Sequence, residues 1–197
     1  MPEVDRRPGR PRVFGVGLNK TATSSFHEAM TILGYESLHW GGPAIRRCVE
    51  EARAADEPLL ARLDPRIDAF SDILALSVNY DLLDEQYPGS RFVLTLRPID
   101  EWVDSRRRHV QNNLRRQARG EYDGSFLVVD EPAWRAEWLD HIARVRAHFA
   151  GRAHFLEIDI SRDPRWAPLC TFLGLPEPAA PFPWVNRTQA LHPIEDR

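Results

Sequence analysis

Short apolar segments alternate with segments of helical pattern along almost the whole chain, and this alternation limits the fold more than any other feature. Apolar segments predict strands at residues 13–17, 35–39, 68–72, 91–96 and 154–158. Apolar residues at helical spacing predict helices at residues 23–33, 43–55, 74–86, 100–117, 132–149 and 166–173. Strands that alternate with helices, without hairpin signals, form parallel sheets covered by helices. The sequence therefore predicts a three-layer α/β fold around a central parallel sheet of about five strands.

The length and composition fit one soluble domain. The chain has 197 residues, of which 43% are hydrophobic and 28% are charged, and this is ordinary for a globular protein. Residues 1–12 are rich in proline and arginine and predict a disordered lead-in, with one domain over residues 13–197. A net charge of -3 argues against a dedicated nucleic-acid binder. No stretch approaches the ~20 apolar residues of a membrane span, and no signal core is seen; we expect a cytoplasmic protein.

A lysine and several hydroxyl side chains lie between the first strand and the first helix, in FGVGLNKTATSSFHEAM (residues 14–30). Backbone N–H groups at a helix N-terminus attract anions, and Lys20 adds a compact positive charge. The triphosphate-loop pattern G-x-x-x-x-G-K-[ST] is incomplete, because Asn19 and Phe14 replace its glycines. The segment therefore indicates an anion site of another kind, or else a helix cap with an exposed lysine. Its candidate hydroxyl donors are Thr21, Thr23, Ser24 and Ser25.

A second candidate anion element is LTLRPIDEWVDSRRRHV (residues 94–110). Arg97 ends the fourth predicted strand, and Ser105 lies eight residues further on, in the next predicted helix. Helical periodicity places Ser105 away from the apolar stripe, on a face shared with Trp102 and His109. An arginine and a serine in this arrangement can grip one phosphate. The arginine run at residues 106–108 predicts a solvated helix face.

The two elements together resemble the cytosolic-type sulfotransferases, and among them a compact bacterial subgroup. The resemblance is carried by GVGLNKTATSSF, by LTLRPIDEWVDS, and by the closing segment LCTFLGLPEPAAPFPWVNRT. It covers roughly residues 12–190. It implies a P-loop-like fold and the transfer of a sulfuryl group from 3′-phosphoadenosine 5′-phosphosulfate (PAPS) to a hydroxyl or amine of a small-molecule acceptor. It also implies that no metal is required.

The resemblance further implies roles for particular residues. Arg97 and Ser105 would hold the 3′-phosphate of the donor. The animal enzymes have a late Arg-Lys-Gly grip on that phosphate with no clean match here, and Asn186 and Arg187 would stand in for it. Trp40 and Trp184 are candidates for stacking on the adenine. The 5′-phosphosulfate loop would comprise Asn19, Lys20, Thr21, Ala22, Thr23, Ser24 and Ser25, with Lys20 also catalytic.

Asp72 is the first candidate for the base that takes the acceptor's proton, and His39 is the second. Asp72 ends the third predicted strand, where members of the subgroup also carry an acid. His39 ends the second predicted strand and has the better ordinary pKa for the task. Asp72 needs burial to compete. Asp72 could instead cap the following helix, and His39 could be a hydrogen-bonded wall residue.

Two other functions remain open at the level of sequence. A small-molecule kinase using ATP and Mg²⁺ would need Lys20–Thr21 as its lysine–hydroxyl pair and Asp72 or Asp159 as the metal partner. A non-catalytic nucleotide-binding module would keep the fold without the reaction. The acceptor is not identified, although residues 40–62 and 115–134 are expected to shape its pocket. The sequence gives no oligomeric state.

Overall fold

A computed structural model describes residues 10–185 and contains a central sheet of five parallel strands in the order β2-β3-β1-β4-β5. Helices cover both faces of this sheet, so the predicted three-layer α/β fold is confirmed. The strands are β1 (Val13–Gly15), β2 (Ser37–His39), β3 (Ala69–Ser71), β4 (Arg91–Thr95) and β5 (Phe155–Ile158).

The helices follow the predicted order, with one exception. They are α1 (Thr23–Ile32), α2 (Gly42–Ala54), α3 (Leu74–Ser77), α4 (Tyr80–Gln86), α5 (Ile99–Ala118), α6 (Glu131–His148) and α7 (Trp166–Leu173). The prediction of a single helix over residues 74–86 is therefore wrong, because two shorter helices, α3 and α4, occupy this range. At the break, Asn79 is not helical and its side-chain amide donates to Ala75 O at 2.7 Å. Asparagine favours such breaks because its side chain competes with the backbone for hydrogen bonds.

The two faces of the sheet have different cores. Phe14 of β1 lies in register with Phe70 of β3 and Phe92 of β4, and its ring centroid is 5.3 Å from each of theirs. This row of rings packs against Phe149 at the end of α6. The opposite face packs against α1 and α7, through residues such as Phe26. Neighbouring residues of one strand point to opposite faces, so both faces of the short strands are buried.

The first described residue, Arg10, packs against the end of α1. The Arg10 guanidinium donates to the carbonyl oxygens of Leu33 and Gly34 and lies 3.3 Å above the ring of Tyr35. A cation is favoured at this position because the C-terminal carbonyls of a helix carry partial negative charge. Residues 10–12 thus belong to the packed domain, and residues 1–9 lie outside the described part of the chain.

Within residues 10–185, none of the helices is both apolar and long enough to traverse a lipid bilayer.

Candidate active site

The carboxyl ends of β1, β2, β3 and β4 bring most of the predicted site residues to one edge of the sheet. The loop after β1 carries Lys20, and β2 and β3 end at His39 and next to Asp72. Arg97 follows β4 by two residues. Because β1 lies between β3 and β4, the loop is flanked by an acidic group on one side and a basic group on the other. Ligands of open parallel sheets bind at this edge.

Three consecutive carbonyl groups of the loop each accept a hydrogen bond from a side chain. The Thr21 hydroxyl donates to Leu18 O at 2.6 Å. The Trp102 indole donates to Asn19 O at 2.7 Å, and Arg97 Nη1 donates to Lys20 O at 3.2 Å. These donors fix the direction of the carbonyl groups, and so they also fix the peptide N–H groups that point the opposite way.

The loop backbone has the shape of an anion nest. Lys20 and Ala22 have φ angles of 66° and 64°, while Thr21 between them is not in the left-handed region. An alternation of this kind turns successive N–H groups toward one point and forms a concave anion site. Within residues 10–185, no protein acceptor bonds to the amides of Lys20, Ala22 or Thr23. The amide of Thr23 also belongs to the first turn of α1, where N–H groups have no partner in the helix.

The loop hydroxyls differ in where they point. Thr21 is 1% exposed, and its hydroxyl lies 2.7 Å from that of Thr95. Ser25 is buried and its oxygen accepts a hydrogen bond from Val185 N at 3.0 Å. The hydroxyl groups of these two predicted anion ligands therefore bond to other parts of the protein and stabilise the loop from within. Thr23 is buried as well, while Ser24 Oγ lies 3.3 Å from His39 Nε2.

Gly17 is required by the close approach of β4 to this loop. A Cβ at Gly17 would lie 2.1 Å from Thr95 Oγ1 and 2.5 Å from Thr95 O. A side chain of any kind would therefore displace the Thr95–Thr21 contact beneath the loop.

Asp72 and His39 form a polar pair beside Lys20. His39 Nε2 lies 3.7 Å from Asp72 Oδ2, and His39 Nδ1 lies 3.1 Å from Ser71 Oγ. The side chains of His39 and Asp72 are 22% and 21% exposed. Asp72 has a φ of 58°, a conformation that aspartate and asparagine tolerate better than most residues.

Burial moves the pKa values of these two groups in opposite directions. It raises the pKa of Asp72 to about 6, although the positive charge of Lys20 acts to lower it. Burial, followed by the charges of His27 and Lys20, lowers the pKa of His39 to about 4. The order expected from ordinary values is thereby reversed, and Asp72 is the stronger base of the pair.

Lys20 is itself perturbed by the site. Burial lowers its pKa, as does the positive charge of Arg97, whereas Asp72 raises it. Lys20 therefore lies within electrostatic reach of both the acidic and the basic flank of the loop.

Arg97 and Ser105, the residues predicted to hold a second anion, each keep a polar atom without a hydrogen-bond partner in the described part of the chain. The Arg97 side chain is 23% exposed, and its Nε lies 3.8 Å from Glu101 Oε2, too far for a hydrogen bond. Within the described residues, Arg97 Nε has no hydrogen-bond partner, and neither has the half-buried hydroxyl of Ser105.

The arginine run that follows Ser105 is not a plain solvated face. Arg106 is 7% exposed, pairs with Glu137, and lies against the rings of Trp102, Phe126 and Trp134. Arg107 pairs with Asp104 and Glu131. The prediction that this run faces solvent is therefore wrong for Arg106, because aromatic side chains of α5, of α6 and of the loop between them surround its guanidinium.

Sequence reasoning missed three residues that support or face the site. Trp102 was expected on the outer face of its helix with Ser105, but it is fully buried and bonded to Asn19. Thr95 supports the loop through Thr21, and its place at the end of a buried strand was a usable signal. Burial, followed by the positive charge of Lys20, lowers the pKa of His109 to about 4, so His109 lies within electrostatic reach of Lys20.

The C-terminal segment reaches the same loop. Trp166 donates to Ala180 O at 2.6 Å and packs against Phe182, and Val185 N donates to Ser25. These contacts hold the segment against α7 and connect its end to the first turn of α1. The predicted ligands Asn186 and Arg187 follow Val185 directly and lie outside the described residues.

The structure is thus an α/β protein whose parallel sheet carries a nest-like loop at its carboxyl edge, with Lys20 in the loop and Arg97 beside it. A family model described as a sulfotransferase domain matches residues 12–123 and 115–191, and the chain belongs to this family. The crystal structure of a sulfotransferase from Alicyclobacillus acidocaldarius is similar, with a TM-score of 0.50 and 16% sequence identity over 85% of this chain and 82% of that chain. This likeness shows the fold. No curated protein matched the sequence.

The raised pKa of Asp72 predicts a gain in stability when its charge is removed. Between pH 3.8 and about 6 the folded state holds a proton that the unfolded state has lost, so Asp72 lowers the stability as the pH rises through this window. We expect the free energy of unfolding of Asp72→Asn at pH 8 to be higher than that of the unsubstituted protein by up to about 3 kcal/mol. Asparagine also accepts the left-handed backbone.

The measurement is urea unfolding of both proteins at pH 4 and at pH 8. At pH 4 the gain should fall to a small fraction of its value at pH 8, because Asp72 is then protonated in the folded state and close to half protonated in the unfolded state. The opposing effect of His39 is common to both proteins and cancels. Asp123→Asn, at an exposed position, serves as control and should give no gain. Equal stability of Asp72→Asn and the parent at pH 8 would contradict the assigned burial of the charge.

Proposed function

We propose that this protein transfers a sulfuryl group from PAPS to a hydroxyl or amine of a small-molecule acceptor. The observation that carries the proposal is the anion nest at Lys20 and Ala22, with Arg97 bonded to the loop from the adjacent strand. A nest with one lysine fits the 5′-phosphosulfate of the donor, and a separate arginine–serine pair fits its 3′-phosphate. The family supports sulfuryl transfer.

Lys20 and the loop amides have the catalytic task of stabilising charge on the leaving group. In the transfer, a bond forms between the acceptor oxygen or nitrogen and sulfur, while the bond from sulfur to the bridging oxygen breaks. Negative charge then grows on that bridging oxygen, next to the 5′-phosphate. Fixed N–H groups and a nearby cation stabilise such charge without reorganisation. The hydrogen bonds to Leu18 O, Asn19 O and Lys20 O keep those N–H groups in place.

Asp72 takes the acceptor's proton in this mechanism. With a pKa of about 6, Asp72 is largely ionised at pH 7 and still basic enough for proton transfer. His39, with a pKa of about 4, is neutral at that pH and a weaker base. We assign His39 to positioning, since its Nε2 lies close to both Asp72 and Ser24.

Residues for the remaining donor contacts come from the loop and the C-terminal segment. The amides of Asn19 to Ser25 face the phosphosulfate, and Ser24 keeps a half-buried hydroxyl at the loop. Arg97 and Ser105 hold the 3′-phosphate. Asn186 and Arg187 are proposed to add to that grip, because Val185 is bonded to Ser25 at the edge of the loop.

The position of the Thr21 hydroxyl favours sulfuryl transfer over the kinase reaction. In a triphosphate loop, the hydroxyl that follows the lysine binds Mg²⁺. Here that hydroxyl is buried between Leu18 O and Thr95 Oγ1. The other acid considered as a metal partner, Asp159, accepts hydrogen bonds from Ser161.

Replacing Arg97 tests the assignment of the 3′-phosphate. We expect Arg97→Ala to lower the affinity for adenosine 3′,5′-bisphosphate at least 10-fold, because a charge-assisted contact is lost. The affinity for adenosine 5′-phosphate, which lacks the 3′-phosphate, should fall at most about 3-fold. This smaller loss comes from removal of the hydrogen bond from Arg97 to Lys20 O. Calorimetric titration of each nucleotide measures both changes.

Arg108→Ala is the matched control for this experiment. Arg108 lies on α5, is exposed, and forms no ion pair within residues 10–185. Its replacement should leave both affinities unchanged. An equal loss of both nucleotides in Arg97→Ala would show that Arg97 only supports the loop, and would contradict its contact with the 3′-phosphate.

The pH dependence of turnover tests the choice of base. The value of kcat/KM should rise with pH through about 6 and then level off, because deprotonated Asp72 is required. Asp72→Asn should abolish this rise of kcat/KM with pH. It should also lower kcat/KM by about 10²- to 10⁴-fold, the usual contribution of a general base. A limb near pH 4 that disappears in His39→Gln, with Asp72→Asn still active, would assign the role of base to His39.

A further inference from the structure

The strand order separates the place of the donor from the end of β2. In the proposed function, on which this inference rests, the donor lies between the loop after β1 and Arg97 after β4. The order β2-β3-β1-β4-β5 places β2 on the far side of β1 from β4. Neighbouring strands are about 4.8 Å apart, so the end of β2 lies about 14 Å from the end of β4. The nucleotide therefore extends away from β2, and the acceptor faces β3 and β2.

The residue that directly follows β2 is a tryptophan held out in solvent. The Trp40 side chain belongs to the large apolar residues that stay exposed, with 61% of the residue's surface accessible. It adjoins His39, whose ring nitrogen is 3.7 Å from the Asp72 carboxylate. Leu74, two residues after Asp72, is also 56% exposed. Two exposed apolar side chains thus lie close in the chain to the proposed base and to its partner His39.

The backbone holds Trp40 in this position at a cost. Trp40 has a φ of 58°, and the amide of Gly41 donates to His39 O at 2.7 Å, so Trp40 is the centre of a tight γ-turn. A bulky residue in this conformation is strained, and such strain is concentrated at functional sites. Trp40 N also donates to Ser71 O at 2.9 Å, which fixes the turn against the end of β3.

Two glycines follow the tryptophan, and the second lies beside the indole ring. Gly41 and Gly42 both have positive φ angles. A Cβ at Gly42 would lie 3.8 and 3.9 Å from Cη2 and Cζ3 of Trp40, so the outer edge of the ring lies over Gly42. The side chain is therefore placed by a built turn, although solvent covers much of its surface.

We propose that Trp40 is the stacking platform of the acceptor subsite, and that the acceptor carries its hydroxyl on a flat, largely apolar body. Such a body stacks on the indole and covers surface that is otherwise exposed to water. Its hydroxyl then points toward Asp72, which takes the proton as the oxygen–sulfur bond forms. This assignment removes Trp40 from the candidates for the adenine platform.

The test compares two probes of similar size, 2-naphthol and its saturated counterpart decahydro-2-naphthol. Each is titrated by calorimetry into the protein saturated with adenosine 3′,5′-bisphosphate. The unsubstituted protein should bind 2-naphthol at least 10-fold more tightly than the saturated alcohol. Trp40→Ala should lose that preference and bind 2-naphthol at least 10-fold more weakly, while its affinity for the bisphosphate stays within twofold. Leu139→Ala, which removes another exposed apolar side chain on α6, should change neither.

Three results would overturn the inference. They are unchanged 2-naphthol affinity in Trp40→Ala, equal affinity of the unsubstituted protein for the two probes, and a 10-fold loss of bisphosphate affinity in Trp40→Ala. The third would make Trp40 the adenine platform instead. Failure of the unsubstituted protein to bind the bisphosphate at all would be a failure of the proposed function. A titration with the bisphosphate alone, made before the alcohols are added, detects it separately.

Discussion

The orientation of three peptide groups in the loop after β1 is the constraint on which the rest of the site depends. The carbonyl groups of Leu18, Asn19 and Lys20 each accept a hydrogen bond from a side chain. The donors come from three places, the loop itself, α5 and the end of β4, so the sheet and a helix jointly set the direction of the loop amides. Because Arg97 is one of these donors, the second anion element is tied to the first.

Backbone strain is concentrated at the same edge of the sheet. Within residues 10–185, five residues other than glycine have positive φ angles. Lys20 and Ala22 follow β1, Trp40 follows β2 and Asp72 follows β3, while the fifth, Asp56, lies just beyond α2. Each such residue costs about 1–3 kcal/mol, and the packed rings on the sheet provide the rigidity that holds them. The strained positions coincide with the groups proposed to bind or react.

The sequence predicts the sheet well because its evidence is local. An apolar, β-branched segment ending in an arginine gives β4, and strand–helix alternation gives the parallel order. What depends on contacts between distant segments was not predictable. The burial of Trp102 and of the Thr21 hydroxyl follows from partners 83 and 74 residues away. The relative basicity of Asp72 and His39 could not be derived from the sequence for the same reason, since burial by other elements reverses their ordinary order.

The central claim is that this edge binds a nucleotide with two separate phosphate groups and needs no metal to do so. Calorimetric titration of the unsubstituted protein with adenosine 3′,5′-bisphosphate in the presence of a chelator, and with ADP plus Mg²⁺ in parallel, tests it most directly. The account predicts clear saturable binding of the bisphosphate and at least 10-fold weaker binding of ADP, because only the bisphosphate reaches both the nest and Arg97. Preferential binding of ADP with Mg²⁺ would contradict it.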